Sequence, residues 1–230
     1  MANASKKVSR NNSAKKKAVS KSPSTKARQR AKIGNTRADK PKTVQVLSST
    51  VVHTAPVFYV TQDEVLEPSG VKVRRDIIRH PGSVVILAID ERKSEPSVLL
   101  IRQYRYAANQ ELWELPAGRI DEGEDPLVAA KRELAEETGY LASEWKPALH
   151  YFASPGFLDE TMSLFAARDL RKGKASPEED EVIACKLVPL SKAVQWVMSG
   201  KVHDGKAIAG ILWAAQKFHI SGNGKVSKQL

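Results

Sequence analysis

Three glutamates, Glu133, Glu136 and Glu137, fall within five residues of the stretch KRELAEETGY, residues 131–140. On a helix, positions i, i+3 and i+4 share one side, so their carboxylates gather and repel one another. A solvated acidic face is one way to carry such charge. The other is a cation held among them. Hard carboxylate oxygens, together with oxygens of a substrate phosphate, are the ligands Mg²⁺ accepts while retaining several waters. These three residues alone leave both readings open.

The element that must present them has clear ends. Asp125 suits an N-cap, Pro126 the first helical position, and Gly139 a left-handed terminator, which predicts a helix from about Pro126 to Thr138. Leu127, Ala130 and Leu134 recur at spacings of three and four and form its buried stripe, with the glutamates along the border. Before it, SVVILAID and SVLLIRQYR read as two strands around the charged turn ERKSEP. After it come a strand near HYFA, the loop SPGFLDE, the strand TMSLFAA, a polar loop RKGKASPEEDE, the strand VIACKLV, and two helices around AVQWVM and AIAGILWAAQKF. Intermixed strands and helices predict an α+β fold, a mixed sheet with helices on its faces. Upstream, VQVLSSTVVHTAPVFYV and VKVRRDII are β-branched, and the PSG turn between them predicts a small antiparallel unit. Such a unit is too short to be stable alone and must pack on the body or on a second subunit.

Charge divides the chain of 230 residues unevenly. Residues 1–42 hold fourteen Lys or Arg against the single acid Asp39, a net of +13 within a total of +11, so the remainder carries −2. The basic segment has almost no large aliphatic residues and reads as a disordered tail over residues 1–45. It suits a solubilising extension or a tether to nucleic acid or another anionic surface; a transit peptide fits less well, because the charges are mostly Lys and no amphipathic face emerges. Residues 46–80 form the β unit, 81–222 the main domain, and 223–230 a flexible C-terminus. The sole cysteine, Cys185, is expected to be a buried, inert thiol, and a single cysteine suits a reducing cytoplasm. No uninterrupted apolar run is long enough to span a membrane, and no secretory signal is evident at the N-terminus.

The longer stretch GRIDEGEDPLVAAKRELAEETGY, Gly118 to Tyr140, resembles the complete signature of the Nudix hydrolase family. Gly118, Glu124, Arg132, Glu133, Leu134, Glu136, Glu137, Gly139 and Tyr140 meet every specified position. Chance would satisfy that pattern in a chain of this length with a probability on the order of 10⁻⁷. The resemblance implies a mixed sheet between helices and hydrolysis of a nucleoside diphosphate linked to another group, with Mg²⁺ or Mn²⁺. It also implies that Glu133 and Glu137 are the principal metal ligands, with the Ala117 carbonyl and Glu136, which counts among the catalytic residues as well, contributing. Glu124 and Arg132 are read as an ion pair that holds the loop against the helix.

A second resemblance, to the ADP-ribose pyrophosphatase branch, rests on SPGFLDE, with Pro155 fifteen residues beyond the signature, on RQYRYAANQELWELPAG, and on the small N-terminal strand unit. It implies that Glu160 orients or deprotonates the attacking water, a role that passes to Asp159 if the loop is aligned differently. It further implies that Arg105 grips the diphosphate, that Pro155 and Gly156 shape the substrate loop, and that the chain forms a homodimer. In that branch the N-terminal strands cross to the neighbour and help enclose adenosine, and Arg75 and Asp76 are the matching candidates. Residues 46–80 contain no tryptophan to stack on adenine, which leaves Phe58, Tyr59 or His53. Trp196 and Trp213 read as packing, Trp113 as either packing or contact, and His150, His203 and His219 have no metal-ligand spacing.

The leading expectation is therefore a Mg²⁺-dependent hydrolase splitting ADP-ribose into AMP and ribose 5-phosphate. Its rivals are the same chemistry on another sugar nucleotide such as GDP-mannose, a non-catalytic nucleotide-sugar sensor with a nucleic-acid-binding tail, and an RNA-end processing enzyme.

Overall fold

The computed structural model describes residues 43–175 and 183–218. Most of the expected basic tail and the expected flexible C-terminus lie outside them. The described elements run β1 (Gln45–Thr54), β2 (Tyr59–Leu66), β3 (Lys72–Arg79), β4 (Ser83–Asp90), β5 (Ser97–Arg105), β6 (Gln110–Glu114), β7 (Ala117–Arg119), α1 (Pro126–Thr138), β8 (Tyr140–Phe152), β9 (Thr161–Lys172), β10 (Ala184–Pro189), α2 (Leu190–Met198) and α3 (Gly205–Lys217).

The main sheet has the order β10-β5-β4-β9-β8, with β6 added to β5 and β7 to β4. It is mixed, because β4 and β9 run parallel while the other pairs are antiparallel. Strand β4 is apolar from Val84 to Ile89 because both of its faces are covered. Val84, Ile86 and Ala88 pack toward Ala129, Ala130 and Leu134 of α1. Val85, Leu87 and Ile89 pack instead in the cluster that contains Ala193 and Trp196 of α2 and Ala207, Ile211 and Ala214 of α3. Alternation along one strand thus builds two cores and a layered α+β architecture.

Helix α1 starts and stops where the sequence predicts. Asp125 accepts hydrogen bonds from Leu127 N and Val128 N, Pro126 opens the helix, and Gly139 ends it at φ 68°. Ala129, Ala130 and Leu134 are its fully buried apolar residues, and Leu127 is only partly covered. Burying a leucine such as Leu134 contributes about 2 kcal/mol.

The expected small antiparallel N-terminal unit is a three-stranded sheet of order β1-β2-β3. Residues 45–66 form a hairpin closed by Ala55 N donating to Phe58 O at 2.8 Å. Every residue of β1 is exposed, while Thr61, Asp63 and Val65 of β2 are buried. This sheet meets the body through β3: Ile78 N donates to Phe157 O at 2.8 Å, and Asp159 N donates to Ile78 O at 3.1 Å. Two expectations need correction. Cys185 is exposed, because β10 is the last strand in the sheet order and its residues 184–186 are left accessible. The strand expected near HYFA extends back to Tyr140, passing Pro147 at an irregularity in its pairing with β9.

Candidate active site

The acidic side of α1 lies against β7. Gly118 makes that approach possible: a Cβ there would stand 2.0 Å from Glu133 Cδ and 2.1 and 2.3 Å from its two oxygens. Glu137 is 4 % exposed, and its Oε2 accepts a hydrogen bond from Ala117 N at 3.1 Å. Glu136, one turn from Arg132, keeps 44 % of its side chain exposed. Arg132 is the cation among these carboxylates. Its Nη1 donates to Glu133 Oε1 at 2.7 Å and to Glu136 Oε2 at 3.1 Å. Its Nε and Nη2 form a fork onto Glu124 at 3.0 and 2.9 Å, and Nη2 also donates to Arg119 O at 3.1 Å. The expected Glu124–Arg132 pair is therefore in place and ties the loop of residues 120–125 to the helix. The Arg132 hydrogen bonds hold the Glu124 carboxyl below the usual carboxylate range.

Among the described residues, no three His, Cys, Asp or Glu side chains are grouped as a ready metal site. Two carboxylates nevertheless share one cationic donor, Arg132 Nη1, and every oxygen they offer is of the hard type. That donor set fits a divalent cation, and Glu133, Glu136 and Glu137 are the side chains that could hold it.

These groups open on a cleft of about 440 Å³ whose lining includes Arg105, Ala117, Gly118, Arg132, Glu133 and Glu136, together with Val57, Arg119 and Asp121. Arg105, at the end of β5, is held by a fork onto Glu114, with Nε and Nη2 at 2.8 and 2.9 Å. Glu114 is 1 % exposed and also lies 3.3 Å from Lys206 Nζ. Burial opposes its charge, but the Arg105 hydrogen bonds and the Lys206 charge outweigh that and keep the carboxyl below its ordinary range. Lys206 in turn donates to Asp204, the N-cap of α3, at 2.7 Å.

The loop of residues 153–160 leads into β9, on the opposite side of β4 from β7. Glu160 Oε1 accepts a hydrogen bond from Ser83 Oγ at 2.6 Å, and Ser83 pairs with Arg119 across β4 and β7. His80 Nδ1 is 3.6 Å from the same oxygen, but it accepts from Gly82 N at 3.1 Å and so has no proton to give in the neutral ring. Asp159 is fully engaged: Oδ1 accepts from His80 N at 2.8 Å, and Oδ2 from Arg79 Nη1 at 3.2 Å.

The structure thus brings Arg105, Ala117, Glu133 and Glu136 to one cleft, with Glu137 bonded to its wall. Arg75 and Asp76 stand apart from the cleft on β3, both exposed and on opposite faces of the strand, where Arg75 donates to Glu67 and Asp76 accepts from Gln62. Pro155 and Gly156 are exposed at the loop tip. Trp196 is buried against Trp113 with ring centroids 5.3 Å apart, the packing role expected of it. Ser83, Val57, Arg119 and the Glu114–Lys206–Asp204 cluster are additions. Only the strand–loop boundary at Ser83 had a signal in the chain, and nothing local marks Lys206 as a neighbour of Glu114.

A family model described as the NUDIX domain matches residues 79–209. The "Methanol dehydrogenase activator" of Bacillus methanolicus is 35% identical over 172 residues, covering 74% of this chain and 88% of that protein. The "ADP-ribose pyrophosphatase" of Mycobacterium tuberculosis is 36% identical over 171 residues, covering 73% and 81%. A solved structure titled "Crystal structure of ADP compounds hydrolase" superposes with a TM-score of 0.66 at 22% identity, covering 80% of this chain and 98% of that one, which shows a shared fold. With the family model matched across α1 and its flanking sheet, and relatives of this identity aligned over most of their length, the chain belongs to the Nudix hydrolase family.

Proposed function

We propose that this protein hydrolyses the diphosphate of ADP-ribose to AMP and ribose 5-phosphate with the help of Mg²⁺ or Mn²⁺. The observation that carries the reading is the convergence on one cleft of the α1 carboxylates, laid against Gly118, and the Arg105 guanidinium. The pyrophosphatase relative from Mycobacterium tuberculosis supports the choice of substrate.

In this reading Glu133, Glu136 and Glu137, with the Ala117 carbonyl, hold the divalent cation. When bound, it neutralises the diphosphate and lowers the pKa of an attacking water. Arg105 binds the diphosphate. Glu114 takes two of its N–H donors and fixes the guanidinium plane, leaving the remaining donors for phosphate oxygens. Glu160 is the acting loop carboxylate: Ser83 holds one oxygen, and the other takes the proton of the water. Asp159 is a poor candidate for that role, because both of its oxygens accept internal hydrogen bonds.

The exposed β1, with Val46, Leu47, Val51 and Val52 facing outward, supports a homodimer in which this sheet lies on a second copy. There Arg75 and Asp76 of β3 help enclose the nucleoside, and Pro155 and Gly156 shape the loop beside it. The basic tail adds a weak contact with nucleic acid or another anionic surface. No helix among the described residues is long and apolar enough to cross a membrane, and the lone cysteine fits a cytoplasmic enzyme.

Incubation with ADP-ribose and Mg²⁺, alongside GDP-mannose and 5′-triphosphorylated RNA, tests the proposal. It predicts AMP release from ADP-ribose well above a chelated control. Faster turnover of either alternative would reassign the substrate.

A further inference from the structure

Glu160 sits in a loop whose tip is exposed, yet a general base must be held to within a fraction of an ångström to act efficiently. Its own side chain has one anchor, the Ser83 hydroxyl. The other constraint comes from its neighbour. Asp159 joins the loop to the end of β3 and the residue after it: its carboxylate accepts from Arg79 Nη1 and from His80 N, and its backbone N–H donates to Ile78 O. Arg79 is itself immobilised from the far side. Its Nη2 donates to Asp63 Oδ2 at 2.6 Å and its Nε to Thr61 Oγ1 at 3.1 Å. Asp63 is 3 % exposed, and its other oxygen accepts from Ser49 Oγ at 2.5 Å. A continuous chain of hydrogen bonds therefore runs from β1 through β2 and β3 to the residue beside Glu160.

We propose that Asp159, clamped by Arg79, is a positioning residue that makes the three-stranded N-terminal sheet part of the catalytic apparatus by fixing where Glu160 stands. The inference rests on the reading of Glu160 as the acting carboxylate. A network of fully paired charged hydrogen bonds between rigid strands suits this task, because breaking any link leaves a partly buried charge without its partner. The sheet is then more than a wall beside the cleft. A disturbance of β2 or β3 reaches the chemistry through Arg79.

A double-mutant cycle on ADP-ribose hydrolysis by the full chain tests this, using Asp159→Ala, Glu160→Ala and the pair. Loss of the clamp should lower kcat about 10- to 100-fold with KM changed less than about threefold, the penalty of a misplaced reacting group. In the Glu160→Ala background the same substitution should cost less than about twofold more, because Asp159 acts only through Glu160. Asp159→Asn keeps an acceptor for His80 N–H but loses the charge facing Arg79, so it should fall between wild type and Asp159→Ala; it replaces alanine in the cycle if that variant melts below the assay temperature. Equal losses in both backgrounds, or a change confined to KM, would overturn the positioning role while leaving Glu160 in place. A Glu160→Ala enzyme of near-normal kcat would remove the reading of Glu160 itself, and the clamp with it.

Discussion

Replacing Gly118 with alanine separates folding from function more sharply than any carboxylate substitution. The backbone at Gly118 is not in the left-handed region, so the added methyl brings no torsional strain. It would, however, stand 2.0 Å from Glu133 Cδ and 2.1 Å from Oε1. An ordinary contact is about 3.5 Å or more, so the carboxylate must retreat by well over an ångström. Glu133 is the end of a flexible side chain, and it can swing toward solvent at little cost to the fold. We expect a change in Tm of only a few degrees, corresponding to about 1 kcal/mol or less. Catalysis has no such freedom. A displacement of about 1 Å at a reacting centre can cost about 100-fold, or about 2.7 kcal/mol of transition-state stabilisation. Steady-state hydrolysis of ADP-ribose, paired with thermal melting of the same samples, reads both quantities. An alanine variant with activity within threefold of wild type would refute the placement of Glu133 in the reacting cluster. A variant that fails to fold would refute the claim that only the side chain has to move.

The contrasting substitution, Gly139→Ala, should be a folding defect. Gly139 has φ +68°, and a Cβ there would meet the Ala175 backbone N at 2.5 Å, so destabilisation of about 2 kcal/mol or more should appear in chemical denaturation. Glu114→Gln should lower Tm at neutral pH, and the gap from wild type should close on acidification. The folded-state pKa of Glu114 is depressed, so its contribution is fully present above the unfolded value of about 4.3 and is lost as pH falls through the lower folded value. Melting curves from pH 6 down to pH 2.5 check this, and a gap that widens on acidification would contradict the sign of the shift.

The features legible in the chain were those whose causes lie close together in it. Asp125, Pro126 and Gly139 fix both ends of α1 within fifteen residues, and the glutamates ride on that helix at spacings the 3.6-residue repeat turns into one face. The doubly covered β4 announced itself as an apolar run. Strand β7, only three residues long, has no periodicity to read, and β2, YVTQDEVL, hides its alternation behind Asp63, a buried charge neutralised by Arg79 sixteen residues later. Cys185 is exposed despite its apolar neighbours, because a stretch on a sheet's last strand need not be covered. The supports of the site were hidden for a related reason. Ser83 meets Glu160 across 77 positions and Arg79 meets Asp159 across 80, and such contacts exist only once the sheet has formed.

Isothermal titration of Mn²⁺ or Mg²⁺ in the presence of a non-hydrolysable ADP-ribose analogue, with Glu137→Gln as the paired sample, reads whether the α1 carboxylates bind a divalent cation. The wild-type protein should take up the divalent cation saturably, and affinity should weaken by about tenfold or more in the variant, which loses a charged ligand but keeps an oxygen for Ala117 N–H. Absence of cation uptake by the wild-type protein, or equal affinity in both samples, would contradict the binding role of those carboxylates.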